Sequence, residues 1–174
     1  MFNEAVKHVP ARAGEDTVNV FIETPRGSRQ KMNLHESGLF RIGLELPEGM
    51  RFPFAFGFVP QTRAPDGDPL DILLLCDGEL PAGSLIEARL IGVLKMENEE
   101  DGALVRNDRV VAIATMSRIY NDLADLAEAR KEFVWDMQLF FESYNRMIER
   151  GYEFKGQGDR NEAISLFEES VLQQ

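Results

Sequence analysis

The chain has 174 residues, of which 44% are hydrophobic and 28% charged, enough for one globular domain with a substantial core and too few for two full-sized ones. Thirty acidic residues against nineteen basic ones leave a formal charge of -11, which argues against nucleic acid or an anionic membrane surface as a partner. A single cysteine, Cys76, excludes a disulfide framework or Cys-rich metal site, and two histidines, His8 and His35, exclude a site built on several imidazoles.

The longest apolar runs, 72–76 and 110–114, fall far short of the roughly 20 residues of a membrane helix. The first residues also lack the basic start and apolar core of a signal peptide, so a cytoplasmic location is expected. Residues 1–17, mixed in character and carrying Pro10 and Gly14, read as an N-terminal arm, and 18–174 as a single domain. Val18, Val20 and Ile22 alternate with Asn19, Phe21 and Glu23, which predicts a half-buried strand over 18–23. The loop Pro25-Arg26-Gly27-Ser28 follows, then Arg29 and Lys31, a turn at Glu36-Ser37-Gly38 and a second strand over 39–46. Phe52, Phe54, Phe56 and Phe58, spaced by two, predict one apolar face of an edge or bent strand, with Pro53 and Gly57 between them. Further strands are expected over 71–76, 85–95 and 109–115.

After Asn121 the period changes. Phe133, Met137, Phe140, Phe141, Tyr144 and Ile148 form one helical stripe ending at Gly151. A last helix starts at Asp159, with Glu162 as its capping-box partner and Ile164, Phe167 and Val171 facing inward. Strands first and helices last, without βαβ alternation, predict an α+β fold around a small antiparallel or mixed barrel.

The segment richest in chemistry is Asp66-Gly67-Asp68-Pro69-Leu70-Asp71, which runs into the apolar strand Ile72-Leu73-Leu74-Leu75. Gly67 and Pro69 bend the chain so that three carboxylates converge, and hard oxygen donors in that arrangement suit Mg²⁺, with Mn²⁺ as an option. An EF-hand loop does not fit, because its sixth position is Asp71 instead of Gly. The cationic cluster Arg26, Arg29 and Lys31 is of the kind that holds phosphate oxygens. Taken alone, either cluster reads equally as solvated surface, as does the acidic run 97–101 beyond Gly92-Val93-Leu94-Lys95. Together they supply what attack of water on phosphorus requires: acids for metal ions and cations for a phosphorylated substrate.

The acidic turn resembles the signature of the soluble family I inorganic pyrophosphatases. The resemblance runs from about Val18 to about Phe167, through Glu23-Thr24-Pro25-Arg26-Gly27-Ser28, Lys31, Glu36-Ser37-Gly38-Leu39-Phe40, Phe56-Gly57-Phe58, Gly92-Val93-Leu94-Lys95-Met96 and Phe140-Phe141-Glu142-Ser143-Tyr144. It implies a small closed five-stranded, OB-like β-barrel flanked by C-terminal helices. The implied activity is Mg²⁺-dependent hydrolysis of diphosphate to two orthophosphates, and the implied assembly is a homo-oligomer, a hexamer in bacterial members. By resemblance Asp66, Asp68 and Asp71 bind metal, with Glu97 as a substitute fourth ligand. Asp68 assists deprotonation of the attacking water, Glu23 is an acidic active-site residue, and Lys31, Arg26, Arg109 and Tyr144 contact phosphate. Tyr144 reads equally as a core residue of the helix stripe.

The chain departs from the family pattern at several positions. Asn33 replaces an acid, Leu44 a phosphate-binding arginine, and Phe52 and Phe56 two tyrosines; Asn98 and Asn107 replace acids, and Asn145 a lysine. Charge-assisted contacts of this kind are each worth about 1.5–3 kcal/mol. Two alternatives to diphosphate hydrolysis therefore stay open: a catalytically impaired relative that binds a phosphorylated ligand or a partner, and a hydrolase of an organic phosphoanhydride whose organic part meets Leu44, Phe52 and Phe56. An oligonucleotide-binding barrel is disfavoured by the net negative charge.

Overall fold

The computed structural model describes residues 2–172. Along the chain run α1 (Phe2–Lys7), β1 (Val18–Thr24), β2 (Gln30–Leu34), β3 (Phe40–Glu45), β4 (Ala55–Phe58), β5 (Asp71–Leu75) and β6 (Leu85–Glu100). There follow β7 (Ala103–Arg106), β8 (Arg109–Ala114), α2 (Lys131–Met147), β9 (Tyr152–Gly158) and α3 (Arg160–Ser170).

Five strands, in the order β1-β4-β5-β8-β6, close into a ring because β6 also pairs β1. The pairings are antiparallel except β5 with β8, so the ring is mixed, as the sequence predicts. Val20 and Ile22 of β1, Ile72 and Leu74 of β5, Val93 of β6 and Val110 and Ala112 of β8 face one another inside it, joined by Ala163 and Phe167 of α3. The alternate residues, Leu73 and Leu75, Ile91 and Leu94, Val111 and Ile113, form a second core outside the ring against Met137, Phe140 and Phe141 of α2. A strand buried on both faces has no polar side, and this accounts for the unbroken apolar run of β5.

Close backbone contact fixes Gly57, where a Cβ would lie 2.0 Å from the Phe21 carbonyl oxygen across the β1–β4 pair. α3 begins as predicted, with Asp159 accepting the Glu162 N–H at 2.9 Å. Glu162 turns its own carboxylate to Lys95 at 2.6 Å.

The expected arm carries α1, and its Ala11 joins the inner core. Three expectations are corrected. The aromatic strand shrinks to β4: Phe52, Phe54 and Phe56 pack against the outer core, whereas Phe58 sits 5.4 Å from the Phe21 ring. The helices do not all follow the strands, because β9 lies between α2 and α3 and pairs β6. β2 forms a two-stranded hairpin with β3 outside the ring, and its half-exposed faces give no clear alternation in sequence.

Candidate active site

The segment from Thr62 to Asp71 is a tight loop. Thr62 Oγ1 donates to the Val59 carbonyl at 2.6 Å and accepts the Leu70 N–H at 2.8 Å, pinning its two ends together. Inside it Asp66 Oδ1 accepts the Asp68 N–H at 3.1 Å, and Gly67 takes a left-handed φ of 92°. Asp71 is the first residue of β5 and Arg109 the first of β8. Parallel register of these strands puts the two side chains together at 2.6 Å.

Asp66, Asp68 and Asp71 line one cavity of about 160 Å³ with Glu23, Lys31, Asn98, Asn107, Arg109, Tyr144 and Asn145. Glu23 comes from β1 and Lys31 from β2, and Glu23 Oε1 accepts the Leu34 N–H at 2.5 Å, which fastens the hairpin to the ring. Lys31 Nζ stands 5.7 Å from the Tyr144 ring, and that ring stacks on Phe140. The cavity thus gathers the carboxylates of the turn and Glu23 with the cations Lys31 and Arg109 and the Tyr144 ring.

Burial dominates the electrostatics of its carboxylates. Burial raises the Glu23 carboxyl to about 7, with Asp71 and Asp68 adding to the rise and the Leu34 N–H and Lys31 opposing it. Asp71 is also raised, chiefly by burial; Arg109 and Lys31 pull it down, and Asp66 and Asp68 push it up. A divalent cation relieves such repulsion, and the donor set is hard oxygen, so the residues fit the metal chemically. The expected convergence is nevertheless incomplete: among the described residues no three acidic, histidine or cysteine side chains are grouped closely enough to enclose a metal ion. Asp71 faces Arg109 instead, and a cation held there would share or replace that partner.

Two expected site residues lie elsewhere. Glu97 points to the opposite face of β6 and pairs Lys155 at 3.0 Å, because alternation along the strand puts Met96, Asn98 and Glu100 on the cavity side. Arg26 is exposed, with its guanidinium 5.8 Å from the Phe54 ring. Arg29 is held by Glu48 at 2.5 Å and by the Leu46 carbonyl, so of the basic loop only Lys31 reaches the cavity. Conversely Arg150, just beyond α2, lines the cavity and pairs Glu100 at 2.5 Å, a contact between residues fifty apart with no local signal in sequence. Phe52 and Phe56 form part of the wall, but their rings pack on Phe140, and Phe56 also on Phe141; Leu44 packs against the outer core.

With this geometry in place, comparison with known proteins is decisive. A family model described as inorganic pyrophosphatase matches residues 20–173. The chain belongs to the inorganic pyrophosphatase family. It is 36% identical over 162 residues to an inorganic pyrophosphatase of Sulfolobus acidocaldarius, covering 91% of each chain. It is 38% identical over 141 residues to that of Saccharolobus solfataricus, covering 79% of this chain and 80% of the relative. The crystal structure of the inorganic pyrophosphatase from Thermus thermophilus superposes with a TM-score of 0.86 at 28% identity, over 94% of both chains. Family membership covers both the ring and the hairpin that delivers Lys31, so the cavity lies wholly within the matched region.

Proposed function

We propose that the protein hydrolyses inorganic diphosphate to two orthophosphates in a Mg²⁺-dependent reaction at the cavity between the acidic turn and α2. The observation that carries this reading is that Asp66, Asp68, Asp71 and Glu23 line a single cavity together with Lys31, Arg109 and Tyr144. Asp66, Asp68 and Asp71 would hold the divalent cation. When bound, that cation supplies positive charge against the diphosphate oxygens and acidifies water. Asp68, exposed on the turn, would accept the proton of the attacking water. Glu23, whose carboxyl burial raises in the metal-free protein, lines the same cavity as an acidic partner. Lys31 and Arg109 bind phosphate oxygens as fixed cations, Arg150 adds a third, and the Tyr144 hydroxyl supplies a hydrogen bond at the leaving side.

Phe52 and Phe56, offered in sequence to an organic group, are already packed on each other and on Phe140. This favours diphosphate over an organic phosphoanhydride. The reading includes one pyrophosphatase-like domain over 18–174 preceded by the arm, a homo-oligomer of hexameric type and a cytoplasmic location. Among the described residues no helix is long and apolar enough to cross a membrane. Trp135 and Leu139, one turn apart on the outer face of α2 and 60% and 40% exposed, support an oligomeric interface.

The test is phosphate release from diphosphate with and without Mg²⁺, comparing the protein with Asp68→Asn. The expected result is Mg²⁺-dependent turnover that falls about 10²–10⁴-fold in the variant. Equal rates at background level reject the proposal.

A further inference from the structure

Of the three cations that line the cavity, Arg150 is the one held against the end of β6, and it is held on one side only. Beyond α2, Glu149 takes a left-handed φ of 54°, and the chain then lies against β6. The Glu99 N–H donates to the Gly151 carbonyl at 2.9 Å, and a Cβ on Gly151 would collide with the Glu99 side chain. Between these contacts Arg150 Nε donates to the Glu99 carbonyl at 3.2 Å and Nη2 to Glu100 Oε1 at 2.5 Å. Nε and Nη2 form one edge of the planar guanidinium, so that edge is taken up by β6. The second edge, between Nη1 and Nη2, has no hydrogen-bond partner among the described residues. Arg109 is held the opposite way: its contacts with Asp71, Asn107 and the Asp108 carbonyl all run through Nη1, which leaves the Nε–Nη2 edge. Arg29, outside the cavity, has Nε, Nη1 and Nη2 all engaged.

An edge of two parallel N–H groups is the part of an arginine that takes a pair of phosphoryl oxygens. Glu100 lines the same cavity, and its charge by itself repels an anion there. Its place is accounted for by what it does to Arg150. We propose that Glu100 is a positioning residue: by fixing one edge of Arg150 it presents the other to a phosphoryl group, so that Arg150 binds as an oriented fork instead of a mobile charge. The two side chains are 33% and 34% exposed, so a ligand in the cavity can reach the pair. The inference rests on the reading of this cavity as the diphosphate site, and it deepens that reading by giving an acidic residue a part in binding the anion.

Charge and positioning predict opposite signs for the loss of Glu100. Calorimetric titration with inorganic phosphate at fixed Mg²⁺ is expected to show Glu100→Ala binding about tenfold or more weakly, although the cavity has lost a negative charge. Glu100→Gln keeps an acceptor oxygen for Nη2 and gives up only the charge of a partly exposed pair, so its affinity should stay within about threefold of the unmodified protein. Arg150→Lys keeps the charge but not the fork, and should weaken binding as Glu100→Ala does; it leaves β6 untouched and carries the test if Glu100→Ala fails to fold. Adding Glu100→Ala to Arg150→Met is expected to cause no further loss, because Glu100 acts through Arg150. Unchanged or tighter binding in Glu100→Ala overturns the inference. So does a Gln variant as weak as the Ala one, a Lys variant as tight as the unmodified protein, or a double variant whose losses add. Diphosphate hydrolysis is measured on the same preparation: an active protein whose phosphate affinity ignores Glu100 overturns this inference alone, whereas an inactive protein that binds no phosphate overturns the diphosphate reading with it.

Discussion

Asp71 and Arg109 occupy the first positions of the parallel strand pair in the ring, and their side chains meet at 2.6 Å. Arg109 is 13% exposed and Asp71 36%, so the pair lies between a buried and a surface ion pair in character. Replacing Arg109 with Met leaves Asp71 without its closest counter-charge. The expected cost in urea unfolding of the metal-free protein is about 1–3 kcal/mol. Millimolar Mg²⁺ should shrink that cost, because a cation beside Asp71 takes over the neutralisation. An identical loss with and without Mg²⁺ contradicts the placement of the cation there.

Glu23 gives the metal-free protein a pH dependence of known sign. Its carboxyl rises from an ordinary 4.5 to about 7 in the folded state, mainly through burial. The folded form therefore binds the proton more tightly, and protonation favours folding. That contribution is complete below pH 4.5 and lost as pH rises through 7. Chemical denaturation at pH 5 and pH 8 should show a fall of at most about 3 kcal/mol attributable to this group. Glu23→Gln should flatten the slope, and a slope unchanged in that variant refutes the assignment.

Arg26 and Glu97 provide the opposite kind of prediction. Arg26 is exposed over Phe54, and Glu97 is turned towards Lys155 on the outer face of β6. Arg26→Ala and Glu97→Gln should each retain diphosphate hydrolysis within about threefold, a change under about 1 kcal/mol in the barrier. Lys31→Met, by contrast, removes a cation of the cavity and should cost about tenfold or more in kcat/KM. Steady-state kinetics on the three variants separates these outcomes.

At Gly57 the constraint is steric. A methyl group there would stand 2.0 Å from the Phe21 carbonyl oxygen, so strands β1 and β4 would have to separate. Gly57→Ala is expected to lower stability by about 2–4 kcal/mol. A melting temperature equal to that of the unmodified protein refutes it.

What could be seen in the sequence was what depends on near neighbours along the chain. The acidic turn 66–71, the two-sided apolar strand β5, the stripe on α2 and the cap of α3 at Asp159 all leave local patterns. β9 left none: Tyr152-Glu153-Phe154-Lys155-Gly156-Gln157-Gly158 has two large apolar residues and two glycines, and it is held as a strand by β6. The cavity residues divide the same way. Asp66, Asp68 and Asp71 were found because they cluster in sequence, whereas Arg150 and Glu100 meet only in the fold. Glu97, which the resemblance offers as a substitute ligand beside Asn98, falls on the other face of β6, because the alternation that sends Met96 inward sends Asn98 and Glu100 with it.

The length of β6 ties these parts together. Its first residues close the ring against β1, its middle pairs β8, and its last residues, Asn98 and Glu100 among them, carry β7 and β9 and one wall of the cavity. One sixteen-residue strand thus runs from the seam of the ring to the wall of the cavity. The amides at its centre should exchange with solvent only on global unfolding, and loosening the seam at Val18 or Ala88 will be felt at the far end as a less rigid cavity wall.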